Sequence, residues 1–312
     1  MIVYNTRNWI ESFKLIKFAF RKGENYKQMF LWSMIVAVYA AAITIIDLHV
    51  LEDVEFRIDP IYFSLIGFII SLLLVFRLNT AYEKWWEGRK QWGALVNECR
   101  ILSSLFHALL AKEDISNRKF MAGQISNFAF SLKEHLQDDY LFSEIEDIEK
   151  GYFDDLKNSA NIPHKIATQI LVKVEELIQS YHISEFDKLN IKEQVQQLLH
   201  ILGACERIKN TPIPFSHSSF IKTLIALYIL ALPFGLINFF LYLTIPTCAI
   251  IAYALVGLEV ISDEIEQPFG KELNDLPLNH LSSLIKNNVY DIMNVDPQIE
   301  PVPQKIPLGL QT

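Results

Sequence analysis

The chain has 312 residues, of which 51% are hydrophobic and 21% are charged, and its formal net charge at pH 7 is −8. A soluble protein of this length is usually less apolar, and here the apolar residues are concentrated in two blocks, 29–76 and 219–260. The negative net charge argues against nucleic acid as a partner, because phosphate binding requires clustered cations. The composition therefore predicts a membrane protein.

Residues 1–28 are polar and basic, and we expect a cytosolic N-terminal helix there. A signal peptide is not expected, because the apolar run that follows lacks a short core with a cleavage site. That run, residues 29–46, is uncharged and long enough to span a bilayer. Residues 61–76 are also uncharged and are followed by Arg77, which we expect at the membrane interface. Transmembrane helices 1 and 2 are therefore assigned to residues 29–76.

The connection between these two spans is acidic, whereas lysine and arginine flank the other ends of the spans. The acids of the connection are Asp47, Glu52, Asp53, Glu55 and Asp59. Because lysine and arginine are retained on the cytoplasmic side, this asymmetry predicts a multi-pass protein of the cell membrane with both termini in the cytoplasm. The acidic residues would then lie at an outer mouth, where they would concentrate cations.

Residues 77–218 have leucines at helical spacing without strand alternation, which predicts a helical cytosolic region. Asn161 and Pro163 indicate the start of one helix, and Ser184 is expected to cap another. The chain has no phosphate-binding glycine loop, nucleophile elbow or metal-binding histidine pair, so no catalytic residue, metal or cofactor is expected. Three cysteines are predicted to be buried thiols without disulfides. They are Cys99, Cys205 and Cys248.

The second apolar block, residues 219–260, contains no charge between residues 223 and 257. One helix of that length would exceed a bilayer core of about 30 Å at a rise of about 1.5 Å per residue. Pro233, Gly235 and Asn238 predict a break, so we assign transmembrane helices 3 and 4 to this block. Residues 261–295 are assigned to a cytosolic C-terminal segment. The proline-rich residues 296–312 are assigned to an extended tail.

One face of the second span has a pattern that suits a pore. Phe68, Leu72 and Phe76 are four residues apart, so they share a strip of the helix. Rings of apolar side chains around a symmetry axis would form a constriction that gates by dewetting. The spacing alone leaves open that this strip faces lipid or the protein core. The neighbouring row has small residues, which allow membrane helices to approach closely. They are Gly67, Ser71 and Val75.

Several segments resemble the bestrophin family, in its bacterial branch. The most specific is residues 77–93, RLNTAYEKWWEGRKQWG, directly after the second span. Further matches follow in order and extend over most of the chain. They are residues 202–207, 211–215, 232–235, 263–270 and 274–278.

The resemblance implies an all-α membrane protein with four transmembrane helices and a helical cytosolic region. It implies a homopentamer in membrane lipid that conducts ions passively. Five second spans would line the pore, and Phe68, Leu72 and Phe76 would form three rings of a hydrophobic neck. Phe186 would form a second, cytosolic constriction. The permeant species would be chloride and other monovalent anions.

The chain departs from the family pattern at two places. Calcium-gated animal members have a run of aspartates after Pro-Phe-Gly, whereas this chain has Lys271-Glu-Leu-Asn-Asp275, so we predict no calcium site. We then interpret Asp263, Glu264 and Glu266 as helix-face charges that pair between subunits. At the middle neck position this chain has Leu72, where animal members tend to have phenylalanine. An aromatic edge is weakly positive and leucine has none, so the resemblance is weaker support for anion selectivity in this chain.

Three alternatives stay open at this point. A channel of the same fold could select sodium or other monovalent cations, which the acidic outer connection favours. A membrane-embedded metalloenzyme would require His, Glu or Cys clustered at one depth. A non-conducting scaffold would not depend on the row of Phe68, Leu72 and Phe76.

Overall fold

The computed structural model describes residues 24–49, 59–140, 142–149, 151–180, 182–272 and 274–295. These residues form α-helices and contain no strand, which confirms the all-α prediction. The helices are α1 (Glu24–His49), α2 (Pro60–Leu109), α3 (Ile115–Gln137), α4 (Tyr152–Lys157), α5 (Ile162–Gln179), α6 (Glu185–Asn210), α7 (Phe215–Phe240), α8 (Thr244–Ile265) and α9 (Leu278–Met293). Most of the predicted N-terminal helix and all of the predicted tail, 296–312, lie outside the described residues.

The described chain divides into two compact units. The apolar unit consists of residues up to Trp85 together with Pro212–Gln267, and it contains α1, the first part of α2, α7 and α8. The amphipathic unit consists of Trp86–Thr211 and the residues from Pro268 onward, and it contains the remainder of α2, α3 to α6, and α9.

The core of the apolar unit is formed by one face of each of its four helices. α1 packs along α8, and α8 packs against α7. The buried cluster comprises Val36, Ala40, Phe63, Ile70, Leu74, Ile221, Ile225, Ile229, Leu232, Cys248 and Ala252. The outer faces of the same helices also expose many large apolar side chains, as expected for helices surrounded by lipid or by further subunits.

Helix α2 is 50 residues long and continuous. It begins at Pro60, whose missing N–H would be unsatisfied at this position in any case. The Asp59 carboxylate accepts a hydrogen bond from the backbone N–H of Ile61 at 2.9 Å and so caps the helix. The helix continues without a break from the apolar span 61–76 through the region after Arg77 and ends at Leu109.

The break in the second apolar block is later than predicted. Within the described residues, three helical stretches are long and apolar enough to cross a membrane, and the third, Phe215–Ile265, is divided by a 3-10 turn at Leu241–Leu243. Pro233 lies inside α7, because a helix in apolar surroundings has no water to satisfy the backbone groups that an interruption would free. The chain turns instead at Leu241, whose φ of +46° is rare for a residue other than glycine. The block therefore supplies two helices, as predicted.

Helix starts in the amphipathic unit follow local sequence signals. The Asn161 side chain accepts a hydrogen bond from the backbone N–H of His164 at 3.1 Å, and Pro163 lies in the first turn of α5. The Ser184 hydroxyl accepts one from the backbone N–H of Phe186 at 3.3 Å at the start of α6. Both predicted helix starts are confirmed, since each depends on a side chain that satisfies a free N–H.

Helix α3 is the central helix of the amphipathic unit, and most of its residues are buried. Near its start, the Arg118 guanidinium donates hydrogen bonds to the carbonyl of His107 at 2.7 Å and to that of Met293 at 2.9 Å. These carbonyls end α2 and α9, where helices carry unsatisfied oxygens and partial negative charge. Arg118 therefore joins the ends of two helices to α3.

The three cysteines lie in the interior. Cys99, Cys205 and Cys248 are buried free thiols, and the burial agrees with the prediction. Burial raises the pKa of the Cys205 thiol to about 12. A thiol with such a pKa is protonated at neutral pH and behaves as a small apolar side chain.

Candidate functional site

Three apolar side chains of α2 form an exposed strip on the apolar unit. The relative exposure is 67% for Phe68, 46% for Leu72 and 57% for Phe76. Their spacing of four residues places them one turn apart along the helix, as the sequence predicts. We refer to Phe68, Leu72 and Phe76 as the neck strip. The strip has no polar side-chain atom, and the protomer does not use it for its own core.

The other face of α2 is buried against α7. Ile70 and Leu74 are each 1% exposed. Gly67, from the predicted row of small residues, allows the close approach of Tyr228, since a Cβ at Gly67 would lie 2.9 Å from the Tyr228 hydroxyl oxygen. The Ser71 hydroxyl donates a hydrogen bond to the backbone oxygen of Gly67 at 2.8 Å, so its hydrogen-bonding partner lies within the same helix. α2 therefore has a packed face and a free face.

Directly after the neck strip, Arg77 is completely buried. Its Nε lies 2.8 Å from a carboxylate oxygen of Glu259 on α8. Its Nη1 donates to the Ser218 hydroxyl on α7 at 2.6 Å, and its Nη2 pairs with Asp263. A carboxylate oxygen of Glu266, at the end of α8, lies 3.8 Å from Nη2. One guanidinium thus links α2 to both α7 and α8.

A second layer of contacts holds the carboxylates of this cluster. Lys222 Nζ donates to Asp263 at 2.6 Å and lies 3.6 Å from Glu259. The backbone N–H of Ile213 donates to Glu266 at 2.8 Å. We refer to Arg77, Ser218, Lys222, Glu259, Asp263 and Glu266 as the Arg77 network. Its two cations and three carboxylates leave one formal negative charge when all are ionised, so the positive charge of Arg77 is fully compensated.

The structure gives these charges partners that the sequence analysis did not identify. Asp263 and Glu266 lie beside Arg77 within the protomer, because the end of α8 lies beside α2. Arg77 is buried within the protein. One signal was present in the sequence: Arg77 and Glu259 are each the first charged residue after an apolar run. Opposite charges in such positions can meet when the two helices pack side by side.

The remaining predicted site residues are separate from this cluster. Phe186 lies in the first turn of α6 in the amphipathic unit and is 85% exposed. Asp47 is half-buried near the end of α1. Three other acids predicted at an outer mouth, Glu52, Asp53 and Glu55, lie outside the described residues.

Two charged residues of the segment after Pro-Phe-Gly have partners within the amphipathic unit. The Asp275 carboxylate is buried and accepts a hydrogen bond from the backbone N–H of Glu272 at 2.6 Å. Lys271 forms an ion pair with Asp139. Within the part of the chain that the structure describes, no group of three or more His, Cys, Asp or Glu side chains is arranged to hold a metal ion.

Comparison with known proteins agrees with this architecture. The family profile described as Bacterial/Fungal Bestrophin protein matches residues 1–291. A voltage-dependent anion channel-forming protein of Nostoc sp. is 32% identical over 277 residues, which cover 86% of this chain and 90% of that protein. A protein of the same description from Synechocystis sp. is 35% identical over 246 residues, which cover 76% of this chain and 79% of that protein.

Solved structures show the same fold. The crystal structure of a bacterial bestrophin homolog from Klebsiella pneumoniae matches with a TM-score of 0.79 at 25% identity, over 86% of this chain and 99% of that chain. Sequence profile, relatives and fold all agree: the chain belongs to the bestrophin family, in its bacterial and fungal branch.

Proposed function

We propose that this chain forms a passive channel for anions, in which five copies surround a pore lined by α2. The observation that carries the proposal is the neck strip, an apolar row left exposed on a helix whose other face is buried. Around a five-fold axis, Phe68, Leu72 and Phe76 would each form a ring of five apolar side chains. Three such rings make a constriction that conducts only while it is wetted.

Passive conduction is favoured over coupled transport. Transporters usually place ionisable groups near the middle of the membrane, where they bind the coupling ion or proton. In the described apolar helices, Asp47, Lys222 and Glu259 lie near the ends of the apolar runs. Arg77 likewise follows the last apolar residue of its span. No group is therefore available at mid-membrane to couple one flux to another within these residues.

Selectivity for anions is supported by the relatives named as anion channel-forming proteins. Aromatic edges are weakly positive, so rings of Phe68 and Phe76 with their edges toward the axis would favour a passing anion. The alternative, a channel selective for sodium or other monovalent cations, is favoured by the acidic residues from Asp47 onward. Arg77 favours neither ion, because carboxylates surround its charge.

The assembly proposed is a homopentamer in the cell membrane with both termini in the cytoplasm. The distribution of lysine and arginine supports this orientation, with residues 29–76 and 219–260 in the membrane and 77–218 and 261–295 in the cytosol. The family resemblance supports Phe186 as a second constriction, and its exposure leaves its side chain available for that role. We expect the chain to bind permeant ions and membrane lipid and to catalyse no reaction.

Replacement of the neck strip tests the proposal. We predict that the triple variant Phe68→Ala, Leu72→Ala, Phe76→Ala increases chloride efflux from vesicles that contain the purified protein. Small side chains widen the constriction and lower the barrier to wetting. A reduction of that barrier by about 1.4 kcal/mol raises the rate about tenfold.

A matched control removes two phenylalanine side chains and one leucine side chain from the exposed surface of α7. Phe220, Leu227 and Phe239 are exposed apolar residues of α7, with exposures of 57%, 59% and 64%. Their replacement by alanine should leave efflux within about twofold of the unmodified protein, because surface substitutions have small effects. Equal efflux from the neck variant and the unmodified protein would refute the pore assignment, and efflux at background from both would support a non-conducting scaffold. Bound metal with hydrolytic or redox turnover would instead support the metalloenzyme.

A further inference from the structure

Arg77 directly follows Phe76, the last residue of the neck strip, yet the two side chains have different surroundings. Phe76 is 57% exposed, whereas Arg77 is completely buried. Successive residues of a helix are related by a rotation of about 100° and a rise of about 1.5 Å. Contacts that fix Arg77 therefore also fix the height and the direction of Phe76.

The acceptor site for Arg77 is held in place without Arg77. Lys222 Nζ donates to Asp263 at 2.6 Å, and the backbone N–H of Ile213 donates to Glu266 at 2.8 Å. These contacts lie on α7, on α8 and on the residues that precede α7. α2 therefore enters a site whose carboxylates already have other partners, which limits how far they can follow a displaced guanidinium.

The contacts of Arg77 require a guanidinium. Nε lies 2.8 Å from Glu259, Nη1 donates to Ser218 at 2.6 Å, and Nη2 pairs with Asp263. A guanidinium presents its donors in a rigid planar fork, so the hydrogen bonds to Ser218 and Asp263, with the Glu259 carboxylate beside Nε, define both its position and its orientation. A lysine ammonium is a point charge on a flexible stem and would retain the attraction while losing the orientation.

We propose that Arg77 is a positioning residue, whose guanidinium fixes the height and rotation of α2 and so holds the neck strip in register around the pore. This inference rests on the proposed function, because it requires that the strip lines the pore. With side chains, a helix has a radius of about 5–6 Å, so a rotation of about 20° moves a side-chain tip by about 2 Å. A displacement of that size opens a gap in an apolar ring and admits water.

The test compares Arg77→Lys in two backgrounds. In the unmodified channel, we expect this variant to raise chloride efflux about tenfold, because rings that are out of register wet more often. In the variant with alanine at Phe68, Leu72 and Phe76, the same substitution should change efflux less than about twofold, because the rings on which it acts are already gone. The ratio of chloride to potassium permeability should not change with Arg77→Lys.

Lys90→Gln is the matched control. Lys90 lies on α2, as Arg77 does, but it is exposed and pairs with Glu87 of the same helix at 2.5 Å. Its replacement removes one positive charge from α2 without changing the Arg77 network. Efflux should stay within about twofold of that of the unmodified channel.

Two results would overturn the inference. The first is an equal rise in efflux on Arg77→Lys with and without the neck side chains, since Arg77 would then act elsewhere. The second is loss of assembly, measured by size-exclusion chromatography, in both Arg77→Lys and Glu259→Gln, since Arg77 would then act only in folding. Failure of the proposed function looks different: the alanine variant of the neck strip would itself leave efflux unchanged.

Discussion

Two buried ionisable residues, Arg77 and Glu134, differ in how their charges are compensated. Arg77 contacts three carboxylates, whereas no described residue donates a well-aligned hydrogen bond to the Glu134 carboxylate. Burial raises the pKa of Glu134 to about 6, while the nearby Phe142 N–H and the positive charge of Lys133 oppose the rise. A charged Glu134 is therefore a local weakness of the amphipathic unit at neutral pH.

This leads to a pH-dependent prediction for Glu134→Gln. A folded-state pKa of about 6 lies above the ordinary glutamate value of about 4.3, so ionisation costs stability. The cost is absent below about pH 4, grows as the pH rises toward about 6 and is complete above it. We expect Glu134→Gln to raise the free energy of unfolding by about 2 kcal/mol at pH 8 and to have little effect at pH 4.

Thermal unfolding of the purified protein at the two pH values measures this difference. Glu193 on α6 is exposed, and Glu193→Gln serves as the control, with an expected change within about 0.5 kcal/mol at either pH. An effect of Glu134→Gln that is the same at pH 4 and pH 8 would contradict the proposed cost of ionisation.

At the scale of helices, the packing of α2 on α7 depends on a close approach at Gly235. A Cβ at this position would overlap a ring carbon of Phe63, which is itself buried. An aromatic ring in a packed core cannot move aside without displacing its own neighbours. Gly235, at which the sequence suggested a helix break, instead allows two helices to pack tightly.

We therefore predict that Gly235→Ala destabilises the protein. Overpacking of this kind costs about 1–3 kcal/mol, which should lower the midpoint of thermal unfolding in detergent. Gly203 on α6 is the control, because a methyl group added there would have no atom within 4 Å of it. Gly203→Ala should be neutral or should stabilise by up to about 1 kcal/mol, because alanine favours a helix more than glycine does. Equal effects of the two substitutions would refute the close-packing role of Gly235.

The helices also show what local sequence can and cannot predict. Asn161 and Ser184 mark helix starts correctly, since a cap is a contact between residues two or three positions apart. The break predicted at Pro233 is wrong, because Pro233 lies inside α7. Whether a proline interrupts a helix depends on whether its surroundings can satisfy the freed backbone groups. The actual turn at Leu241 has no glycine or proline to indicate it.

For the whole molecule, the sequence predicts the arrangement of the neck strip better than the partners of the charges beside it. The neck strip follows from a spacing of four residues within a single span, and its members do lie together on one exposed strip. The Arg77 network requires α2, α7 and α8 to converge, and residues separated by up to 189 positions meet there. No pattern within one helix contains that information, so the sequence assigned the same charges to contacts between subunits.

The most direct test of the anion channel is the reversal potential of the purified protein in a planar bilayer under a potassium chloride gradient. The proposed neck has no charge of its own and the Arg77 charge is compensated, so fixed charge at the neck does not indicate which ion is selected. The reversal potential measures the selectivity directly. We predict a reversal potential close to the chloride equilibrium potential. A value close to the potassium equilibrium potential would contradict anion selectivity, and the absence of any current would contradict the channel itself.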